Sequence, residues 1–185
     1  MTPVVLGLLF LGFVGLVWAL FVYNRLVGLR QHVRESWADI DVQLKRRHDL
    51  IPNLVTTVKA YAAREREVLE RVVELRAEAM RNRSTGAGAR AGEEPLAFAL
   101  GRLFAVAENN PALRSDAHFL ALQKELAETE DRIAAARRFF NANVREFNTL
   151  CEQAPTNLVA SMGGFSPASF FELSQAAERV VPRVG

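Results

Sequence analysis

Residues Val4–Tyr23 read VVLGLLFLGFVGLVWALFVY, and no charged side chain precedes Arg25. A hydrocarbon core about 30 Å thick needs roughly 20 apolar residues in helical form, so this run is long enough to cross a bilayer. A cleaved secretory signal would need a charged start, a shorter apolar core and small residues at the cut. Here no Lys or Arg comes first, and the run ends on Leu20, Phe21, Val22 and Tyr23. A buried core helix is the other reading, but a chain of 185 residues leaves little protein to enclose it. A retained transmembrane anchor over residues 1–24 is therefore expected, with 25–185 forming the rest. Gly7, Gly12 and Gly15 do not form GxxxG, so the span carries no strong dimerisation signal of its own.

Flanking charge sets the orientation. Arg25, Arg30 and Arg34 follow the span, then Lys45, Arg46 and Arg47. The positive-inside rule predicts a single-pass protein with its N-terminus outside and the bundle in the cytoplasm. Trp18 and Tyr23 suit the interface. No turn signal separates Tyr23 from Trp37, so the anchor is expected to run on as one rod.

The balance of 23 basic against 21 acidic residues leaves a net charge of +2. Such a balance, without a basic stripe, argues against nucleic acid as a partner. The single cysteine, Cys151, cannot form an internal disulfide and reads as small core filler.

Past the anchor the periodicity is helical. Trp37, Ile40, Leu44, Ile51, Leu54, Val58, Tyr61, Leu69 and Val72 recur at mostly three- and four-residue steps. Pro52 lacks an N–H and crowds the preceding turn, which predicts a kink or short break near His48–Ile51. Residues 82–94 (NRSTGAGARAGEE) hold three glycines and no apolar period, and read as a flexible loop with Pro95 opening the next helix. Asn109-Asn110-Pro111 should end that helix, and Ser115 or Asp116 should cap the next. Phe119, Leu122, Leu126, Ile133, Phe140, Val144, Phe147 and Cys151 keep a near-heptad, coiled-coil-like spacing that should end near Pro155. Ser166-Pro167 reads as the cap and first residue of a final short helix. With no alternation of period two, the fold class is all-α: a transmembrane helix continuing into an antiparallel, four-helix-type bundle.

Two surfaces stand out. Arg46, Asp49, Asn53 and Thr57 lie three or four residues apart and share one helix face. They read as a solvated face or as a docking surface for a partner. Phe165, Phe170 and Phe171 are expected to close the bundle end, with contact to the membrane or a neighbouring subunit as the alternative. His32, His48 and His118 are far apart, without HExxH or Cys/His spacing, and solvated helix faces account for all three. No catalytic motif, cofactor-binding motif or metal-ligand set appears, so no enzyme, cofactor or metal is expected.

Several segments together resemble the LemA family. They include Tyr23–Val27, the block Ala38–Val55 (ADIDVQLKRRHDLIPNLV), Phe119–Gln123, Glu128–Arg137, Phe139–Asn148 and Pro155–Phe165. The resemblance covers nearly the whole chain in order, but not the glycine-rich stretch or the end beyond Phe171. It implies a single-span bacterial membrane protein with a helical bundle and no established enzymatic activity. It further implies association with envelope stress and with HtpX-type membrane zinc proteases, and a related branch that builds magnetosome membranes. The expected function is thus a membrane-anchored, non-enzymatic scaffold or adaptor. Its expected partners are the bilayer through residues 4–23, an HtpX-type protease and other copies of itself. The alternative is a membrane-remodelling or stress-sensing protein acting directly on the bilayer.

Overall fold

The structure is a computed structural model, and it describes residues 2–62, 64–82 and 86–171. All regular structure among these residues is helical. The elements are α1 (Thr2–Tyr61), α2 (Arg66–Asn82), α3 (Gly86–Glu108), α4 (Pro111–Arg114), α5 (Ala117–Glu152) and α6 (Thr156–Met162). The chain divides into two compact units, and α1 and α5 each contribute to both.

The first unit holds Met1–Asp39 and Ala136–Phe170. Its apolar cluster joins Val22, Leu26 and Leu29 of α1 to Phe147 and Cys151 of α5, Ala160 of α6 and Phe165. Trp37 and Phe140 pack edge to face at 5.5 Å between ring centres. Upstream of Val22 the same helix is bare: its side chains from Thr2 to Phe21 are exposed, apart from a half-buried Ala19. This is the one helix among the described residues that is long and apolar enough to cross a membrane.

The second unit, built on Ile40–Ala135, packs four helices around one core. Ile51, Leu54 and Val58 of α1 meet Leu69, Val72, Leu75 and Ala79 of α2. Leu96, Leu100 and Leu103 of α3 join them, with Phe119 and Leu126 of α5. Each fully buried leucine contributes about 2 kcal/mol by leaving water.

Three expectations need correction. First, of the kink or short break expected before Pro52, the break does not occur: α1 is helical through to Tyr61. A proline withholds the N–H that residue 48's carbonyl would accept. Arg76 of α2 supplies the missing donor, its Nε lying 2.6 Å from the His48 carbonyl oxygen, so the helix continues without an orphaned acceptor. Second, residues 86–94 are not a loop. They form the start of α3, and Pro95 lies inside that helix, while residues 83–85 lie outside the described residues. Packing overrides the poor helix propensity of glycine: a Cβ on Gly92 would come within 3.0 Å of the Ala79 Cα, so glycine lets α3 approach α2 closely. Third, Ser166-Pro167 opens no helix within the described residues, since residues 165–171 are irregular; any helix beyond Phe171 lies outside them. A short helix appears earlier instead, as α6, ending at Gly163 before Gly164 turns with φ +69°.

Of the two residues expected as caps, Asp116 is the one used, and Asn110 adds a cap that the sequence reading does not anticipate. The Asn110 side chain accepts from the backbone N–H groups of Ala112 and Leu113 at the start of α4. Asp116 Oδ1 accepts from the Phe119 N–H at 2.8 Å, which caps α5.

Candidate functional site

The most unusual chemistry lies inside the second unit. Arg47 and His48, adjacent on α1, fall on the apolar stripe between Leu44 and Ile51, so the helix turns both side chains inward. Arg47, His48 and Glu93 are each no more than 1% exposed. The Arg47 guanidinium donates to Glu93 of α3 and, at 2.7 Å, to Oε1 of Glu130 on α5. His48 Nε2 lies 3.0 Å from Glu93 Oε1. Thr129, also buried, turns its hydroxyl to its own helix, donating to the Glu125 carbonyl at 2.7 Å. With Arg76 bound to the His48 carbonyl, α1 holds polar contacts to α2, α3 and α5 through two consecutive residues.

Electrostatics keep the Arg47–Glu93 pair ionised. Burial alone would push the Glu93 carboxyl up, but His48 and Arg47 beside it hold it below the usual carboxylate range. Burial would likewise lower the Arg47 pKa, and Glu130 and Glu93 together raise it above its ordinary value. A buried ion pair gains little over a well-packed apolar pair, yet removing one partner strands the other charge. Its atoms are closed off from solvent except through Glu130, whose side chain is 45% exposed. The arrangement can clamp helices; it offers a substrate no approach to Arg47, His48 or Glu93.

The surface residues singled out in the sequence are placed differently. Arg46, Asp49 and Asn53 are exposed and Thr57 is half-buried. Asp49 lies 3.7 Å from Lys45 in an i, i+4 pair, and the Thr57 hydroxyl donates to the Asn53 carbonyl at 2.9 Å. Val42 lies on the same face and is 61% exposed. Phe165 is buried, with its ring 5.5 Å from Tyr23, 6.3 Å from Phe147 and beneath the Arg30 guanidinium at 4.9 Å. Phe170 is half-buried and Phe171 buried.

The reading of all three histidines as solvated is corrected for His48, which is 0% exposed; His32 and His118 are exposed. Cys151 is buried, and burial, with Glu152 nearby, pushes its thiol pKa up, away from the reactive thiolate. The Arg47–Glu93 pair was missed for a physical reason. Charged residues are ordinarily solvated, and Glu93 fell in a stretch read as loop. The available signal was positional: Arg47 and His48 occupy two places where the three- and four-residue stripe calls for apolar side chains.

The sequence profile of the LemA family matches residues 36–185. Magnetosome protein MamQ 1 and magnetosome protein MamQ 2 of Paramagnetospirillum magneticum are each 26% identical over 181 aligned residues. Magnetosome protein MamQ of Magnetospirillum gryphiswaldense is 24% identical over the same length. Each alignment takes in 84% of this chain and 66% of the relative, so the chain spans just under two thirds of the proteins it matches.

Proposed function

Because the chain belongs to the LemA family, we propose that it is a membrane-anchored helical scaffold or adaptor without catalytic activity of its own. The observation that carries this reading is the contrast along α1, which is bare and apolar over its first 20 or so residues, a bilayer-spanning length, and clamped into a four-helix core farther on. The family is not one of known enzymes. In this reading α1 crosses the cytoplasmic membrane once, with the bundle inside. The open face of Val42, Arg46, Asp49 and Asn53 then binds an integral membrane partner or a second copy. An HtpX-type protease and a role in envelope stress are the partner and setting that the family resemblance suggests. A second reading is direct remodelling of the bilayer, suggested by the family resemblance; the matched relatives are named as magnetosome proteins.

A photocrosslinking residue at Asn53 in intact membranes tests the first reading. It should give a discrete adduct with a membrane protease or with the chain itself, and Asp49→Arg should abolish that adduct while leaving helicity unchanged. Absence of any adduct would remove this face as the docking surface. Deformation of vesicles by the purified full-length chain would favour the second reading.

A further inference from the structure

We propose that α6 is a second membrane contact, laid into the headgroup region beside the point where α1 leaves the bilayer. The proposal rests on the reading that the bare part of α1 lies in the membrane.

The argument begins with where the bilayer ends. The exposed stretch from Thr2 to Phe21 is about 30 Å long at about 1.5 Å per residue, which matches the hydrocarbon thickness. Val22 is the first buried residue of α1, so the bilayer edge falls near Phe21 and Val22. The end of α6 lies at this level: a Cβ on Gly163 would meet the Tyr23 ring at 3.1 Å, and Phe165 packs edge to face on the same ring.

What α6 shows to its surroundings fits lipid. Ala160 faces the core, while Leu158 and Met162, one turn apart, are 64% and 90% exposed. In water such side chains gain nothing from exposure. No residue from Gln153 to Phe171 is charged, so this segment brings no ion of its own into the interface, and the Arg30 guanidinium over the Phe165 ring is a charge that headgroups accept. Arg25, paired to Glu146 at 3.2 Å, sits one helical turn past Val22, where a headgroup layer accepts charge. Apolar side chains on such a corner bury about 5–10 Å into the headgroup and acyl boundary. The surface is thus continuous with the span. Its occupant is lipid, shared between a helix that crosses and a shorter one at its edge.

The test uses the full-length chain in phosphatidylcholine–phosphatidylglycerol vesicles, with Cys151→Ala and one environment-sensitive thiol label at a time. Labels are placed at Met162→Cys, at Leu11→Cys in the span, and at Phe139→Cys, an exposed position elsewhere in the same unit. Circular dichroism verifies that each labelled chain keeps its helicity. The Leu11 label should be quenched by lipid carrying a nitroxide deep in the acyl chain. The Met162 label should lose most of its emission to a nitroxide near the headgroup, and the Phe139 label should lose none. Quenching at Leu11 with no more quenching at Met162 than at Phe139 would overturn the proposal and leave the span intact. A Met162 label that shifts to the blue without lipid quenching would mean burial against another copy, and would overturn it equally. An unquenched Leu11 label would instead remove the span, and the proposal with it.

Discussion

Two parts of the same helix follow opposite rules. Before Val22, α1 turns large apolar side chains outward: Leu8, Phe10 and Leu11 are each at least two-thirds exposed. Between Ile40 and Val58 it buries not only leucines but an arginine and a histidine completely. Both stretches are α-helical; what differs is what surrounds them. Outward apolar side chains suit a solvent of hydrocarbon, which every backbone N–H and C=O can face because the helix satisfies them internally. Inward charges are tolerated only where partners from neighbouring helices meet them.

The largest effect is expected at the buried charges. Glu93→Ala strands the Arg47 guanidinium with Glu130 alone, and should cost about 3–5 kcal/mol in denaturant unfolding of the detergent-solubilised chain. Arg47→Met with Glu93→Met should cost clearly less than the two single changes summed. The effect also carries a pH signature. Because the folded Glu93 pKa is lowered, its contribution is fully present above the ordinary carboxylate pKa of about 4.3 and is lost as pH falls through the lower folded value. The gap between Glu93→Ala and the parent should therefore close only in acid below about pH 4, and a gap that closes at neutral pH would contradict the assignment.

A charge in the other part should act differently. Leu11→Arg places a lone guanidinium near the middle of the span, at about 3 kcal/mol in membrane insertion. The expected result is a shift of the chain from the membrane pellet to the soluble fraction or to proteolysis, with the second unit's unfolding midpoint unchanged. Arg47 is tolerated because partners meet it; a guanidinium introduced in place of Leu11 would have none.

The smallest of the three effects tests how Pro52 is accommodated. Arg76→Met should cost about 1–3 kcal/mol by leaving the His48 carbonyl without a donor. In a Pro52→Ala background the backbone supplies that donor itself, so the same change should cost much less. Equal costs in both backgrounds would show that Arg76 stabilises by packing alone.

These contrasts also mark what the sequence made legible. Ile40, Leu44, Ile51, Leu54, Val58, Leu69 and Val72 form a stripe in the sequence and are buried, because a period near 3.6 carries its own evidence. Tyr61 stood on the same stripe yet is 43% exposed. Its hydroxyl donates to Asp116 at 2.9 Å, a partner 55 residues away that no local pattern announces. Glu93 was hidden by the glycines around it, and Gly92 reads as a loop residue until Ala79 is seen against it. Local periodicity reports burial, and it does not report which distant side chain satisfies a buried charge or a vacated carbonyl. The candidate docking face was legible as a face, since its spacing is local, whereas α6 was obscured by the small residues and glycines around it.

Pro52 also decides alignment. Ridges of side chains repeat along a helix, so α2 slipped one turn along α1 would still bury leucines and valines. The bare carbonyl at His48 does not repeat. Only one register brings Arg76 opposite it, and each slipped register leaves a partly buried oxygen unanswered. A residue ordinarily regarded as a helix breaker thus works here as a key, and the arginine that fits it tells the second helix where to stop.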